Sequence, residues 1–189
     1  MIKARVGVLI SGRGSNMMAL VEAARDPAYP AKIVCVVSNR ADAAGLEFAV
    51  ANGIPAKLID HKAFASREAF EAALASHLRA MNVDIIACAG FMRILSPGFV
   101  DHYLGRLLNI HPSLLPAFPG LHTHERALAA GCKFAGATVH QVTSELDLGP
   151  ILEQAVVPVL AGDTAQALAA RVLTQEHLIY PRAVQRFFG

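Results

Sequence analysis

RVGVLISGRGSNMMALVEAARD, residues 5–26, is the stretch whose reading decides the fold. It opens on a short apolar run, VGVLI, without the polar alternation of a half-exposed strand, the profile of a strand buried on both faces of a parallel sheet. The run stops at Ser11-Gly12, and from Asn16 to Asp26 apolar residues recur at helical spacing until DPAYP ends them. The same unit then repeats. KIVCVVSN (32–39) reads as a second strand and DAAGLEFAVANG (42–53) as a second helix closed by a glycine. AKLI (56–59) is a third strand candidate, SREAFEAALASHLRAMN (66–82) a long helix with Ser66 placed to cap it, and VDIIACAG (83–90) a fourth strand. Beyond FMRILSPGFVDHYLGR come LLNIHPS (107–113), a helix over THERALAAG (123–131), strand candidates GATVHQV (136–142) and PILEQAVVPV (150–159), and a last helix from about Thr164 to Phe188. Alternation at this spacing predicts an α/β fold, a single domain built on an open, mostly parallel, twisted sheet with helices on both faces. Such sheets bind ligands outside the carboxyl ends of their strands, so function is to be sought there.

Composition narrows the partners. Of 189 residues, 54% are hydrophobic and 17% charged, enough apolar mass for one sizeable core. The formal net charge is +2 and no Lys/Arg block occurs, which argues against nucleic acid or a membrane surface and for small soluble partners. Cys35, Cys88 and Cys132 are widely spaced, form no CxxC and suit a reducing compartment. VGVLI is too short for a secretory signal or a bilayer span, so a cytoplasmic location is expected.

ISGRGSN (10–16) joins the first strand to the first helix, where glycines permit unusual backbone angles and the helix start offers free N–H groups to an anion. The third glycine of GxGxxG is missing, since residue 17 is Met, and so is the GK[ST] of a P-loop. A monophosphate on a small metabolite therefore fits better than a dinucleotide or triphosphate. The bland alternative is a tight turn capped by Asn16.

RLLNIHPSLLPAFPG (106–120) ends a buried-looking strand by setting a carboxamide and an imidazole two residues apart. Residues at that spacing share one side of a strand, so Asn109 and His111 point together, and Pro112 keeps His111 extended. An amide donor beside an imidazole that can carry and return a proton suits an oxyanion formed at a carbonyl. SELDLGP (144–150) offers Asp147 as the carboxylate to hold that imidazole charged, with Glu145 as its competitor. Alternatively the pair caps a strand end and Asp147 makes an Asx-turn. No G-x-S-x-G elbow occurs and Cys88 lies in apolar sequence, which disfavours a covalent intermediate and favours attack by a substrate amine. His122 and His124 form an HxH without HExxH spacing, so no metal is expected.

Together LISGRGSN, GFMRILSP, LLNIHPSLLPAFPGLHTHERAL, GATVHQVTSELDLGPI and TQEHLIYP resemble the folate-dependent phosphoribosylglycinamide formyltransferase family over nearly the whole chain. The resemblance implies a Rossmann-like formyltransferase domain over 1–189, with a phosphate-binding half over about 1–100 and a folate and catalytic half over about 101–189. It implies direct formyl transfer from 10-formyltetrahydrofolate, the co-substrate, to the amine of 5'-phosphoribosylglycinamide in purine biosynthesis, by a monomer or homodimer. Asn109, His111 and Asp147 match the family's catalytic trio. Gly14, Ser15 and Asn16 match its phosphate loop, and Glu176 a residue that holds the ribose hydroxyls. Arg67, Met92, Arg93, Ile94 and Leu95, with Asn109, match folate contacts. Read without the family, the FMRIL segment is an ordinary apolar connection, Arg67 a solvated first-turn arginine and Glu176 a surface carboxylate.

Three positions depart from the family pattern. Leu148 stands where a second glycine is usual, Arg13 lies in the phosphate loop, and Leu173 replaces a polar residue on the last helix. Leu148 bears on the stiffness and shape of the loop, Arg13 and Leu173 on substrate affinity, and none on reaction type. The alternatives are a 10-formyltetrahydrofolate hydrolase, which would be expected to carry an extra regulatory domain, and a non-catalytic phosphometabolite-binding module. A methionyl-tRNA formyltransferase would be expected to add a basic RNA-binding domain.

Overall fold

The computed structural model, which describes residues 2–188, strings its elements as β1 (Ala4–Ile10), α1 (Ser15–Ala24), β2 (Ala31–Ser38), α2 (Ala44–Ala51), β3 (Ala56–Leu58), α3 (Arg67–Ala80), β4 (Ile85–Cys88), α4 (Pro97–His102), β5 (Leu107–His111), α5 (Thr123–Ala129), β6 (Phe134–Gln141), β7 (Ile151–Pro158) and α6 (Ala165–Phe188). The seven strands form one sheet in the order β3-β2-β1-β4-β5-β6-β7. The pairings from β3 through β5 are parallel, and β6 and β7 are added antiparallel. The α/β, mostly parallel sheet read from the alternating runs is therefore what the chain forms, with an antiparallel end that the strand candidates alone did not reveal. No helix is long and apolar enough to cross a membrane among the described residues.

Burial on both faces explains the unbroken apolar runs. Val6, Val8 and Ile10 of β1 pack with Met17 and Leu20 of α1 and Tyr180 and Val184 of α6. Leu9, one residue out of step, joins Phe70, Leu74 and Leu78 of α3 and Phe99 of α4 on the other face. Alternate side chains of one strand thus feed two cores, which leaves no position for a polar residue from Val6 to Ile10. Ser66 caps α3 as expected, its Oγ accepting from the Ala69 N–H at 3.1 Å. Tyr180, fully buried, donates to the carbonyl oxygens of Cys88 (2.9 Å) and Leu108 (3.3 Å), pinning α6 across the ends of β4 and β5.

Chain direction in the sheet places the site. From β1 the chain builds outward through β2 and β3, then returns to lay β4 on the other side of β1. The strand order reverses between β1 and β4, and in open α/β sheets the crevice outside the carboxyl ends at such a reversal receives ligand.

Candidate active site

Three neighbouring parallel strands discharge their carboxyl ends there. β1 leads into the 11–16 turn, β4 into residues 91–95, and β5 ends on Asn109 and His111; Leu9 is in register with Cys88, and Cys88 with Asn109. β6 then returns antiparallel, setting His140 opposite Asn109 and Thr138 opposite His111.

Asn109, His111 and Asp147 are brought together. His111 Nδ1 lies 3.4 Å from Asp147 Oδ2, and each side chain is 8% exposed. The other ring nitrogen, Nε2, lies 3.0 Å from the Phe118 carbonyl oxygen. Asp147 Oδ2 also accepts the Gly120 N–H at 2.9 Å, so the carboxylate ties the β6–β7 loop to the turn beyond the prolines. Asp147 has φ +55°, a left-handed conformation that turns its side chain inward, whereas Glu145 is exposed; the competition between the two carboxylates is settled by backbone geometry. Asn109 does not stand beside His111 alone. Its Nδ2 lies 3.3 Å from His140 Nε2, and that nitrogen is 3.7 Å from Asp147 Oδ1. Burial pushes the His140 imidazole below the usual histidine range; the Gln141 carbonyl and Asp147 pull the other way, and His111 adds to the lowering.

The wall after His111 is stapled to the sheet by Thr138, whose hydroxyl donates to the Ser113 carbonyl (2.7 Å) and accepts from the Leu115 N–H (3.1 Å) and Gln154 Nε2 (2.9 Å). The Leu115–Pro116 bond is cis. Outside it, Arg126 donates to the carbonyls of Pro119 (2.6 Å) and Leu121 (3.3 Å) and covers the Phe118 ring.

At the phosphate turn, Gly14 caps α1 with φ 70°, and no side chain supplies a capping bond. Capping by Asn16 is therefore not what this residue does. Asn16 is 7% exposed and donates through Nδ2 to Glu176 Oε2 at 2.6 Å, 160 residues away, leaving its Oδ1 buried without a partner. No side chain caps the first-turn N–H groups of α1, which leaves them available to an anion. Glu176 is 8% exposed on α6 rather than a surface carboxylate, and burial raises its pKa while the Asn16 bond opposes the rise. Arg13 is exposed at the rim, and its charge adds to the burial that lowers the His177 imidazole. Leu173 is half-buried one turn before Glu176, with no polar group to offer. Leu148 is 60% exposed and leaves the loop uncrowded, whereas a Cβ on Gly149 would meet the Gln141 carbonyl oxygen at 1.7 Å.

Residues 91–96 form a strip held at both ends. Ser11 Oγ accepts the Met92 N–H (2.8 Å) while donating to Asn39 Oδ1 (2.6 Å). Glu71, 5% exposed on α3, accepts the Ser96 N–H at 2.6 Å and the Ser96 hydroxyl. Between these clamps the Met92 and Ile94 side chains are 68% and 70% exposed, Arg93 lies over the Phe70 ring, and Arg67 opens α3 in contact with Glu68 at 3.9 Å. Phe91 and Leu95 of the FMRIL segment pack against the core beneath α3, and Met92 and Ile94 are presented outward. Ser11, Glu71 and His140 were missed by sequence reasoning. None of the three had a readable signal: His140 comes opposite Asn109 only because β6 runs antiparallel to β5, a direction the letters do not state.

Comparison with known proteins places these features in context. A family model described as "Formyl transferase" matches residues 4–184. A curated phosphoribosylglycinamide formyltransferase of Escherichia coli (strain K12) is 52% identical over 180 residues, 95% of this chain and 85% of that protein. The trifunctional purine biosynthetic protein adenosine-3 of Drosophila pseudoobscura pseudoobscura is 52% identical over 182 residues, covering 95% of this chain but 13% of that longer protein. A crystal structure of phosphoribosylglycinamide formyltransferase from Brucella melitensis superposes with TM-score 0.95 at 57% identity, covering 99% of this chain and 96% of the other.

Proposed function

The chain belongs to the formyl transferase family, and from that premise we propose that it transfers the formyl group of 10-formyltetrahydrofolate to the amine of 5'-phosphoribosylglycinamide in purine biosynthesis. The observation that carries the reading is the convergence of Asn109, His111 and Asp147 at the end of β5, next to a glycine turn whose helix starts free for a phosphate.

In this reading the unprotonated substrate amine attacks the formyl carbon, and the carbonyl electrons move onto oxygen. Asn109 and a protonated His111 steady that oxyanion as donors, and Asp147, held by Gly120, faces the imidazole with its carboxylate. The proton lost by the attacking nitrogen passes, directly or through water, to the folate nitrogen, which leaves as the tetrahedral centre collapses. No covalent enzyme intermediate is needed, consistent with a fully buried Cys35 and Cys88 5% exposed, its thiol pushed up to about 12 by burial. Both nitrogens of His111 face oxygen acceptors, Asp147 and Phe118, so donation to substrate requires the ring to exchange the Phe118 carbonyl for the formyl oxygen.

The sugar phosphate would sit with its phosphate on Gly14, Ser15 and Asn16 and its hydroxyls against Glu176. The Asn16–Glu176 bond supports this by holding the two side chains together behind the phosphate turn, and Asn16 Oδ1 has no partner within the protein. The folate ring would be read by the backbone of Met92 to Leu95 beside Asn109, with Met92 contributing through its carbonyl since its N–H is committed to Ser11. Arg93 lies within that edge, over the Phe70 ring, and Arg67 at the start of α3, its side chain 42% exposed, would meet a folate carboxylate. We place these roles in one formyltransferase domain, 1–189, in which about 1–100 brings the phosphate turn and about 101–189 the catalytic groups. The protein would act in the cytoplasm as a monomer or homodimer, on small molecules and without metal.

Purified protein given both substrates should yield formylated phosphoribosylglycinamide and free tetrahydrofolate in equal amounts, with no formate. Formate release with the folate alone would mark a hydrolase. Binding of the sugar phosphate with no transfer would mark a non-catalytic module.

A further inference from the structure

His140 lies on β6, 2% exposed, directly across the strand pair from Asn109. Its Nδ1 is 3.0 Å from the Gln141 carbonyl oxygen, an atom that only accepts, so Nδ1 carries the hydrogen. Nε2 is then a bare lone pair, and the atom facing it at 3.3 Å is the Asn109 amide nitrogen, a donor. One of the two amide hydrogens is thereby directed at β6. That distinguishes the two ends of an otherwise symmetric carboxamide: nitrogen towards His140, with its second hydrogen left for the site. A carboxamide turned over would present Oδ1 instead, an acceptor where the reaction generates negative charge.

We infer that His140 is a positioning residue, whose bare Nε2 orients the Asn109 carboxamide so that an N–H, and not the carbonyl oxygen, meets the developing oxyanion. The inference rests on the formyl-transfer reading and adds a residue that the trio does not contain. The neutral imidazole also matters to Asp147. Asp147 Oδ1 is 3.7 Å from His140 Nε2 and its Oδ2 is 3.4 Å from His111, so a second proton on His140 would compete with His111 for one carboxylate and simultaneously oppose the Asn109 amide hydrogens. Burial and the facing His111 both disfavour that proton, while Asp147 and the Gln141 carbonyl favour it. A buried histidine with one saturated nitrogen and one lone pair is therefore a directional acceptor, which a leucine of similar bulk is not.

Two measurements test this. In steady-state kinetics, His140→Gln, which can still present an amide oxygen to Asn109, should keep kcat within about fivefold, whereas His140→Leu should lower kcat about 100-fold, the cost of one oxyanion donor, with KM for both substrates within about threefold. Long-range proton–nitrogen NMR on the wild-type protein should report the Nδ1–H tautomer with an unprotonated Nε2. An Nε2–H tautomer, equal kcat losses in the two variants, or losses confined to KM would overturn the inference. Because the NMR readout needs no substrate, it decides the matter even if the variants fold poorly. A wild-type protein that transfers no formyl group would instead overturn the functional reading.

Discussion

Asp147→Asn isolates the charge from the geometry. Asparagine is nearly the same size, can still accept the Gly120 N–H through its amide oxygen, and tolerates the φ of +55° at this position at least as well as aspartate, so the loop should keep its shape. What disappears is a negative charge 3.4 Å from His111 Nδ1, between side chains each 8% exposed. At an effective dielectric constant of about 20, unit charges at that separation attract by about 5 kcal/mol. Desolvation of the carboxylate offsets part of this, and a net of about 3 kcal/mol acting on a charged imidazole corresponds to roughly a 100-fold fall in kcat. The assay is single-turnover formyl transfer at saturating concentrations of both substrates, with thermal melts alongside. KM for the sugar phosphate should be unchanged, because Asp147 contacts the imidazoles and Gly120 rather than the phosphate turn. A variant with kcat within threefold of wild type and an unchanged melting temperature would refute the electrostatic role.

Glu176 carries a pH signature. Its folded pKa is raised, so between the ordinary carboxylate range and that raised value the folded state holds the proton more tightly and stability declines as pH rises. Glu176→Gln should flatten that segment of the stability curve in urea titrations carried upward in pH from the ordinary carboxylate range, and raise KM for the sugar phosphate about tenfold. A Cβ at Gly45 would meet Ile10 Cδ1 at 2.5 Å and the carbonyls of Gly12 and Arg13 at 3.1 Å, so Gly45→Ala should displace the phosphate turn, costing about 1–3 kcal/mol in melts and weakening sugar-phosphate binding more than folate binding by calorimetry. Tyr180→Phe removes the hydroxyl bonded to Cys88 and Leu108 and should cost about 1–2 kcal/mol of stability with KM for both substrates unaltered.

The parallel part of the fold was legible because a strand buried on two faces needs apolar residues at both parities, as β1, β2 and β4 have. The antiparallel end was not. GATVHQV and PILEQAVVPV read as strands, but nothing in their letters states the direction of a neighbour, and direction alone puts His140 opposite Asn109. Asn109, His111 and Asp147 were found because residue type, a two-residue interval and a turn-rich loop are local signals. The choice of Asp147 over Glu145 was not local: it depends on a left-handed backbone and an anchor at Gly120. Asn16 shows the limit most directly. Its place at a helix start reads as a cap, yet α1 begins one residue earlier, freeing the side chain for a carboxylate 160 residues downstream. Ser11 and Glu71 act through contacts 81 and 25 residues away and have no sequence signal at all.

The Ser11 hydroxyl is a junction between the turn that follows β1 and the strip that follows β4. Its backbone runs into the phosphate turn, its oxygen accepts from Met92, and its hydrogen is spent on Asn39, itself 2% exposed. If the proposed sites lie on either side of this junction, any coupling carried through it is reciprocal: the factor by which the nucleotide would tighten the pteridine is the factor by which the pteridine would tighten the nucleotide.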